Sequence, residues 1–314
     1  MKNRLAVAVS ALALISCGAP PPPNAAPARP RVALVLKTLN SPFFIDMQTG
    51  AQAAADRLGI DLVVQAAERE VDVEKQMQIV ENLIQTGIKA LLITPSGSRE
   101  IVPVLAKANA ANIPVIVVDT RLDPKAAAAA SVKIASFVGS DNYEGGRVAG
   151  AELILVTKGK AKVGLLEGIP GHDTGDSRLR GFKDATKDTP GVKVVASQTA
   201  NWERDQGFTV FQNMLQAHPE IDAVFACNDM MALGAIEAIA AAGRTGKIRV
   251  IGFDAVDDAR KAIEAGTMVA SVAQFPGEMG RLAVEGASKL MKGETIAAEQ
   301  QVRIELIKKA EGAR

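Results

Sequence analysis

The sequence is poor in cysteine, histidine and aromatic residues. It has two cysteines, two histidines, one tryptophan and one tyrosine, and aromatics make up 4% of its 314 residues. Cysteine occurs only at positions 17 and 227, so we expect no intrachain disulfide and interpret Cys227 as a small buried apolar residue. With 36 basic and 35 acidic side chains the net charge is +1, which gives no support to binding of nucleic-acid phosphates or anionic membranes.

The amino-terminal segment has the pattern of an export signal followed by a tether. An apolar run at 5–15 follows two basic residues and is too short for the roughly 20 residues that cross a bilayer. The run leads to Cys17 through a stretch that resembles a bacterial lipoprotein box, although an ordinary secretory signal with an incidental cysteine is the alternative. We therefore predict a signal peptide over 1–16, lipidation of Cys17, and an extended proline-rich tether over 17–30.

The remaining chain alternates short apolar runs of strand length with segments of helical spacing. At 48% hydrophobic and 23% charged residues it can bury a large core. Strands are predicted at 31–37, 61–66, 89–94, 114–119, 134–139, 162–167, 192–199, 222–227, 249–254 and 268–274. Helices between most of them indicate parallel sheets covered on both faces. Because this number of strands exceeds one ordinary open sheet, we predict two lobes.

Two further segments carry specific expectations. The spacing of apolar residues predicts a helix over 42–58 that ends at Gly59. The segment 123–131 contains an alanine run without an apolar period, and we interpret it as a surface connection that forms no helical core.

Polar residues close several of the predicted strands. In parallel sheets of this type, ligands bind beyond the carboxyl ends of the strands. The residues at these ends are Lys37, Thr94, Asp119, Ser140, Asn228, Asp254 and Gln274. They are the first candidates for a binding site.

These residue types suit a sugar, which has hydroxyls that donate and accept hydrogen bonds and C–H faces that pack on aromatic rings. The candidate hydrogen-bond acceptors are Asp119 and Asp254. The candidate donors are Lys37, Arg178 and Asn228, and the candidate aromatic rings are Phe43, Phe44 and Trp202. Trp202 lies in the polar stretch 201–205, which does not resemble a core segment. The alternatives are that each ring simply packs between lobe and helix and that the aspartates cap helices.

Signals for catalysis are weak. The glycine-rich stretch at 168–175 matches neither the dinucleotide fingerprint nor the phosphate-binding loop. His172, Asp173 and Asp176 could in principle ligate a metal, but His218 is the only other histidine and lies in a turn-like stretch. No nucleophile stands in a recognisable arrangement. We therefore expect no metal, no cofactor and no enzymatic activity.

Several motifs, in order along the chain, resemble those of the ribose-binding and allose-binding proteins, which are type I periplasmic binding proteins of sugar importers. They are VLKTLNSPFF at 35–44, FACNDMMALG at 225–234, VIGFD at 250–254 and AQ at 273–274. The resemblance runs from about 31 to 308 and implies two similar doubly wound α/β lobes joined by three hinge crossovers, placed near Ser140, 274–275 and Arg303. It assigns 31–139 with 275–302 to an amino-terminal lobe, and 140–274 with 303–311 to a carboxy-terminal lobe.

The resemblance also implies a set of ligand-binding residues between the lobes: Lys37, Ser41, Phe43, Phe44, Thr94, Asp119, Ser140, Arg178, Trp202, Asn228, Asp254 and Gln274. Arg178 is preferred to Arg180 because it lies three residues before Gly181, where the family has its arginine. Phe44 and Trp202 would sandwich a pyranose ring.

Two positions depart from the ribose pattern, which has serine in place of Lys37 and arginine in place of Thr120, and the lysine is similar to the allose-binding branch. Lys37 and Arg178 would balance Asp119 and Asp254, which suits an uncharged sugar.

The resemblance predicts a monomeric substrate-binding component of an ABC sugar importer. It would be exported, anchored to the membrane through Cys17, and would deliver a ribose-like or allose-like monosaccharide to a membrane permease. A sensor that presents ligand to a chemoreceptor keeps the same pocket, and an exported enzyme on the same scaffold is a less favoured alternative. The effector core of the lactose-repressor family shares the architecture, but residues 1–30 contain no helix-turn-helix pattern.

Overall fold

The computed structural model describes residues 29–310. The predicted signal peptide, the lipidation site Cys17 and nearly all of the predicted tether lie outside the described residues. Within 29–310, no helix combines the length and the hydrophobicity needed to cross a membrane.

The first sheet has six parallel strands in the order β11-β5-β4-β3-β1-β2. Its strands are β1 Arg31–Leu36, β2 Asp61–Ala66, β3 Ala90–Ile93, β4 Val115–Val118, β5 Ser136–Ser140 and β11 Glu299–Val302. Its helices are α1 Pro42–Leu58, α2 Val73–Gln85, α3 Val102–Ala110, α4 Pro124–Ala129 and α10 Pro276–Met291. We call this unit the N-lobe.

The second sheet has six strands in the order β12-β10-β9-β8-β6-β7. Its strands are β6 Ala161–Glu167, β7 Val192–Thr199, β8 Ala223–Ala226, β9 Arg249–Asp254, β10 Ala270–Ala273 and β12 Glu305–Lys308. Its helices are α5 Asn142–Val156, α6 Asp173–Thr186, α7 Arg204–Ala217, α8 Asp229–Ala241 and α9 Asp257–Ala265. Strand β12 runs antiparallel to β10 and the others are parallel. We call this unit the C-lobe.

Apolar strands covered on both faces form the core of each lobe. In the N-lobe, alternate residues of β1 face opposite sides, with Leu34 in the cluster against α1 and α10 and Val35 in the cluster against α2 and α3. Glycines bring paired helices close, because a Cβ at Gly280 of α10 would overlap the Met47 carbonyl oxygen of α1. Gly181 of α6 lies in the same way against the Tyr143 carbonyl oxygen of α5.

The prediction of two doubly wound α/β lobes is confirmed, and a strand forms in each of the ten predicted segments. Helix α1 has the predicted bounds and ends at Gly59, whose φ of 68° is the left-handed conformation that favours glycine. The segment 123–131 lies at the surface, as interpreted, since no residue of α4 is buried, but the connection contains this short helix. Asp123 caps it by accepting a hydrogen bond from the Ala126 N–H at 2.7 Å, and alanine has the strongest helix propensity.

The chain passes between the two sheets three times, after β5, between β10 and α10, and between β11 and β12. At the second passage Phe275 has a φ of 58°, and the Arg303 guanidinium of the third lies 3.9 Å from the Phe275 ring centroid. The Ser140 hydroxyl, at the first, donates to the Gln274 carbonyl oxygen at 3.4 Å. The three crossing segments therefore contact one another, which suits a hinge.

Candidate ligand-binding cleft

A cavity lies between the lobes, beyond the carboxyl ends of strands from both sheets. The lining residues are Lys37, Ser41, Phe43, Phe44, Glu70, Asp119, Thr174, Arg178, Trp202, Asn228, Asp254 and Gln274. Each lobe therefore contributes both aromatic rings and charged groups.

The structure brings most of the predicted site residues to this cavity, but Thr94 and Ser140 do not line it. The Thr94 hydroxyl donates to the Val35 carbonyl oxygen at 3.4 Å, inside the N-lobe. Ser140 is engaged at the hinge. Arg178 lines the cavity and is buried, whereas Arg180 is exposed and donates to the Ser177 hydroxyl.

Two lining residues, Glu70 and Thr174, were not predicted. Strand β2 ends at an apolar residue, Ala66, and Glu70 follows four positions later in the turn before α2, so a search of strand ends misses it. Thr174 lies in the first turn of α6, within the glycine-rich stretch 168–175. The signal for Thr174 was the position of that stretch after a strand.

The aromatic groups of the cleft are buried. The Phe43 and Phe44 rings meet edge to face with centroids 5.2 Å apart. The expectation that Trp202 stays out of the core is wrong, because it is 6% exposed and belongs to the hydrophobic cluster of the C-lobe. Its polar sequence neighbours occupy a turn in which Trp202 itself has a φ of 68°, and Gly168 and Gly175 make room for the indole. The ring thus forms both core and cavity wall.

In the N-lobe, the buried ammonium of Lys37 lies close to two carboxylates. The Nζ of Lys37 lies 3.5 Å from Oε2 of Glu70 and 3.8 Å from Oδ2 of Asp119. The Thr120 hydroxyl donates to Oδ2 of Asp119 at 2.8 Å, so the residue that replaces the arginine of the ribose pattern orients this carboxylate. Asp119 has a φ of 63°, a conformation that aspartate and asparagine tolerate better than most residues.

In the C-lobe, Arg178 is fixed by partners on several elements. It donates to the Cys227 carbonyl oxygen at 2.6 Å and to Oδ1 of Asn142 at 2.8 Å. Its Nη1 lies 3.7 Å from Oδ1 of Asp254, which also accepts a hydrogen bond from the Gln274 amide at 2.7 Å. Burial raises the pKa of Asp254 to about 8, although the Arg178 charge acts in the opposite direction. These contacts hold the side chains of Arg178 and Asp254 in position to hydrogen-bond a ligand.

Asp254 projects from a turn with unusual backbone geometry, since its φ is 106° and that of Ala255 is 52°. The buried Ser271 hydroxyl accepts a hydrogen bond from the Ala255 N–H at 2.9 Å and donates to Oδ1 of Asp229 at 2.7 Å. The other Asp229 oxygen accepts from the Val256 N–H at 2.9 Å. Asp229 and Ser271 therefore hold the turn that positions Asp254.

We expect Ser271→Ala to lower the free energy of unfolding by about 2 kcal/mol, because it leaves the Ala255 N–H and the Asp229 carboxylate short of a partner. Denaturant unfolding monitored by circular dichroism measures this change. Ser288→Ala, at a buried serine of α10 in the other lobe, is the control. Equal stability of the two variants would contradict the positioning role.

Three buried polar atoms of the cavity lack a hydrogen-bond partner within residues 29–310. They are Oδ1 of Asp119, Nε1 of Trp202 and Oε1 of Gln274. Buried polar groups in folded proteins are nearly always paired. Two acceptors and one donor are therefore available to a ligand with both donors and acceptors.

The charge balance differs from the predicted one. Lys37 and Arg178 face Asp119 and Asp254 as expected, but Glu70 adds a third carboxylate to the cavity wall. His172, beside the cleft, is buried and its pKa falls to about 3, because burial disfavours the charged imidazolium and Lys37 adds repulsion. Within residues 29–310, no group of three or more His, Cys, Asp or Glu side chains has a geometry that could hold a metal ion.

Comparison with known proteins agrees with this architecture. Residues 32–295 match the family model of the periplasmic binding protein domain. The chain is 38% identical to the D-ribose/D-allose-binding protein of Pseudomonas aeruginosa, over 89% of this chain and 88% of that protein. It is 40% identical to the ribose import binding protein RbsB of Escherichia coli, over 98% and 99%.

Among solved structures, the periplasmic solute-binding protein of an ABC transporter from Actinobacillus succinogenes, crystallised with D-allose, superposes with a TM-score of 0.84 at 38% identity. The match covers 89% of this chain and 98% of that one. The chain thus combines two α/β lobes, three crossings and an inter-lobe cavity with sequence similarity along most of its length. The chain belongs to the family of periplasmic binding proteins.

Proposed function

We propose that this protein captures an uncharged monosaccharide of the ribose or allose type between its lobes and delivers it to the membrane permease of an ABC importer. The observation that carries the proposal is the inter-lobe cavity, whose aromatic walls surround one buried donor and two buried acceptors that have no partner within residues 29–310. A sugar satisfies both kinds of surface at once. The two relatives named above as ribose-binding or ribose/allose-binding proteins, and the similar solved structure with bound D-allose, support this substrate class.

Capture works by closure of the two lobes about the three crossing segments. A sugar that contacts both lobes binds the closed form better than the open form, and so shifts the population toward closure. Direct contacts across the cleft also exist: the Asp173 N–H donates to the Ser98 hydroxyl at 3.2 Å, and Arg69 lies 3.7 Å from Glu203. Both contacts join residues of different lobes, so opening of the cleft would break them.

The polar and the aromatic groups of the cleft bind different parts of the sugar. Phe44 and Trp202 cover the two C–H faces of the ring, while the acids, amides and cations bind its hydroxyls. Each hydrogen bond to a charged group contributes about 1.5 to 3 kcal/mol. A few of these, less the free-energy cost of closure, reach the roughly 8 kcal/mol of a micromolar complex.

The location follows from the family, whose members are exported to the periplasm. We further propose that the protein acts as a monomer held at the membrane by a lipid on Cys17, with the proline-rich segment as spacer. This arrangement keeps the folded lobes within reach of a permease.

A calorimetric panel of aldopentoses, aldohexoses, ketoses and polyols tests the proposed function. Trp202 is the only tryptophan and lines the cavity, so we expect D-ribose or D-allose to change its fluorescence at saturation and to release or absorb heat. Trp202→Phe removes the tryptophan emission and so verifies the source of the fluorescence signal; because phenylalanine keeps an aromatic ring at this wall, we expect a weaker but measurable heat of binding. If every sugar leaves both signals unchanged, the proposal is rejected. Recovery of the ligand chemically unaltered separates binding from catalysis.

A further inference from the structure

Glu70 lines the cleft at a position that its surroundings hold in place, and neither the sequence motifs nor the resemblance assigned it to the site. It lies in the turn between β2 and α2, next to Lys37, because β1 and β2 are paired neighbours in the sheet. The turn is tied to the loop after β1, since the Thr38 hydroxyl and the Asn40 amide both donate to the Glu68 carbonyl oxygen at 2.8 Å. The backbone therefore holds the Glu70 carboxyl at the cavity wall.

The electrostatic surroundings of Glu70 favour additional hydrogen-bond donors. The residue is 8% exposed, and the cation beside it, Lys37, is shared with Asp119. Burial raises the pKa of Glu70 to about 7 although Lys37 lowers it, and the charges of Asp119 and Asp254 act in the same direction as burial. An ionised carboxylate in this position is incompletely solvated. A ligand hydroxyl that donates to it would supply part of the missing solvation.

A purely structural role explains this group less well. Buried ion pairs contribute little to stability compared with apolar residues of similar size. The core clusters of the N-lobe are formed by other residues, such as Leu36 and Val80. Glu70 instead adds a third carboxylate to a cavity with two cations. A ligand that donates hydrogen bonds would stabilise this excess of acceptors.

Resting on the function proposed above, we propose that Glu70 contacts the sugar directly and selects it, accepting a hydrogen bond from one ring hydroxyl while Lys37 donates to a neighbouring oxygen. The sugar is then held by an acid and cation pair from each lobe, Glu70 with Lys37 and Asp254 with Arg178. The ligand class is a monosaccharide with a free hydroxyl at the ring position that faces the turn after β2. A sugar that lacks this hydroxyl leaves the Glu70 carboxyl without this second donor, beside Lys37, and is rejected.

The test is a coupling measurement between Glu70 and individual hydroxyls. D-Allose, D-ribose and their monodeoxy analogues are titrated by calorimetry into the full-length protein, Glu70→Ala and Glu70→Gln. Glu68→Ala is the matched control, because the Glu68 side chain is exposed and only its carbonyl oxygen is used in the same turn. Circular dichroism verifies that each variant is folded.

We expect one deoxy analogue to bind about 30-fold more weakly than the parent sugar to the unmodified protein and to Glu68→Ala. The same analogue should bind to Glu70→Ala less than about 3-fold more weakly than the parent sugar binds to that variant. The other analogues should lose the same factor in all proteins. Glu70→Gln, which keeps an acceptor, should show a smaller coupling at the same hydroxyl and replaces Glu70→Ala if that variant does not fold.

Equal losses for every analogue with and without the Glu70 carboxyl would overturn the inference, as would unchanged affinity of Glu70→Ala for the parent sugar. In either case the unmodified protein still binds sugar, so the proposed function stands. Absence of any sugar binding by the unmodified protein overturns the proposed function and this inference together.

Discussion

Replacement of Asp119 by alanine is expected to weaken sugar binding by at least about 150-fold, which corresponds to about 3 kcal/mol. The variant loses a buried carboxylate whose Oδ1 has no partner within the described residues. It also removes one of the two acids beside the buried Lys37 ammonium. A charge left with fewer partners in a closed cavity opposes closure as well as binding.

Calorimetric titration with D-allose and D-ribose measures this loss, and thermal unfolding shows whether the lobes remain intact. Because alanine tolerates the φ of 63° less well than aspartate, Asp119→Asn is measured beside it; it retains the backbone preference but not the negative charge. Asp188→Ala, at an exposed position on the C-lobe surface, is the control. Unaltered affinity in both Asp119 variants would exclude this residue from the site.

Replacement of Gly168 by alanine is expected to reduce affinity by about 100-fold, although the residue does not line the cavity. A Cβ at this position would overlap the Trp202 indole, so either the ring or the loop must move. Overpacking of this kind introduces about 1 to 3 kcal/mol of strain. The backbone at Gly168 is not in the left-handed region, so the effect comes from the ring and not from the turn.

Tryptophan fluorescence without sugar should change in Gly168→Ala, because Trp202 is the single tryptophan, and calorimetry should show the weaker binding. Gly171→Asn is the matched control in the same loop. Its φ of 82° suits asparagine, and a Cβ there meets no atom within 4 Å. Emission and affinity that match the unmodified protein in both variants would show that the loop does not control the ring.

The success of the strand-end argument has a simple physical basis. Parallel strands place their carboxyl ends at one edge of the sheet, so polar residues such as Lys37, Asp119 and Asp254 converge without any knowledge of loop geometry. Thr94 shows its limit: it follows β3 at the same edge, yet its hydroxyl is used inside the lobe by the Val35 carbonyl oxygen. A position along the chain fixes which end of a strand a residue occupies, but not its hydrogen-bond partner.

Sequence neighbours also misled the interpretation of local environment. Trp202 is surrounded by polar residues along the chain, but two glycines distant in sequence open the space that buries its ring. In 123–131, the absence of an apolar stripe correctly indicated a surface position but not the loss of helix, because capping by Asp123 and alanine propensity suffice for a short helix.

The sequence by itself determined the two-lobed α/β architecture, because alternating apolar runs and helical spacing leave few ways to bury both faces of each strand. It also determined most of the residue types that meet in the cleft. Only the tertiary structure decided that Glu70 joins Lys37 and Asp119, that Trp202 is buried, and that the cavity carries an excess acid. The reason is that burial and charge pairing depend on distances across turns and between lobes, which no local pattern encodes.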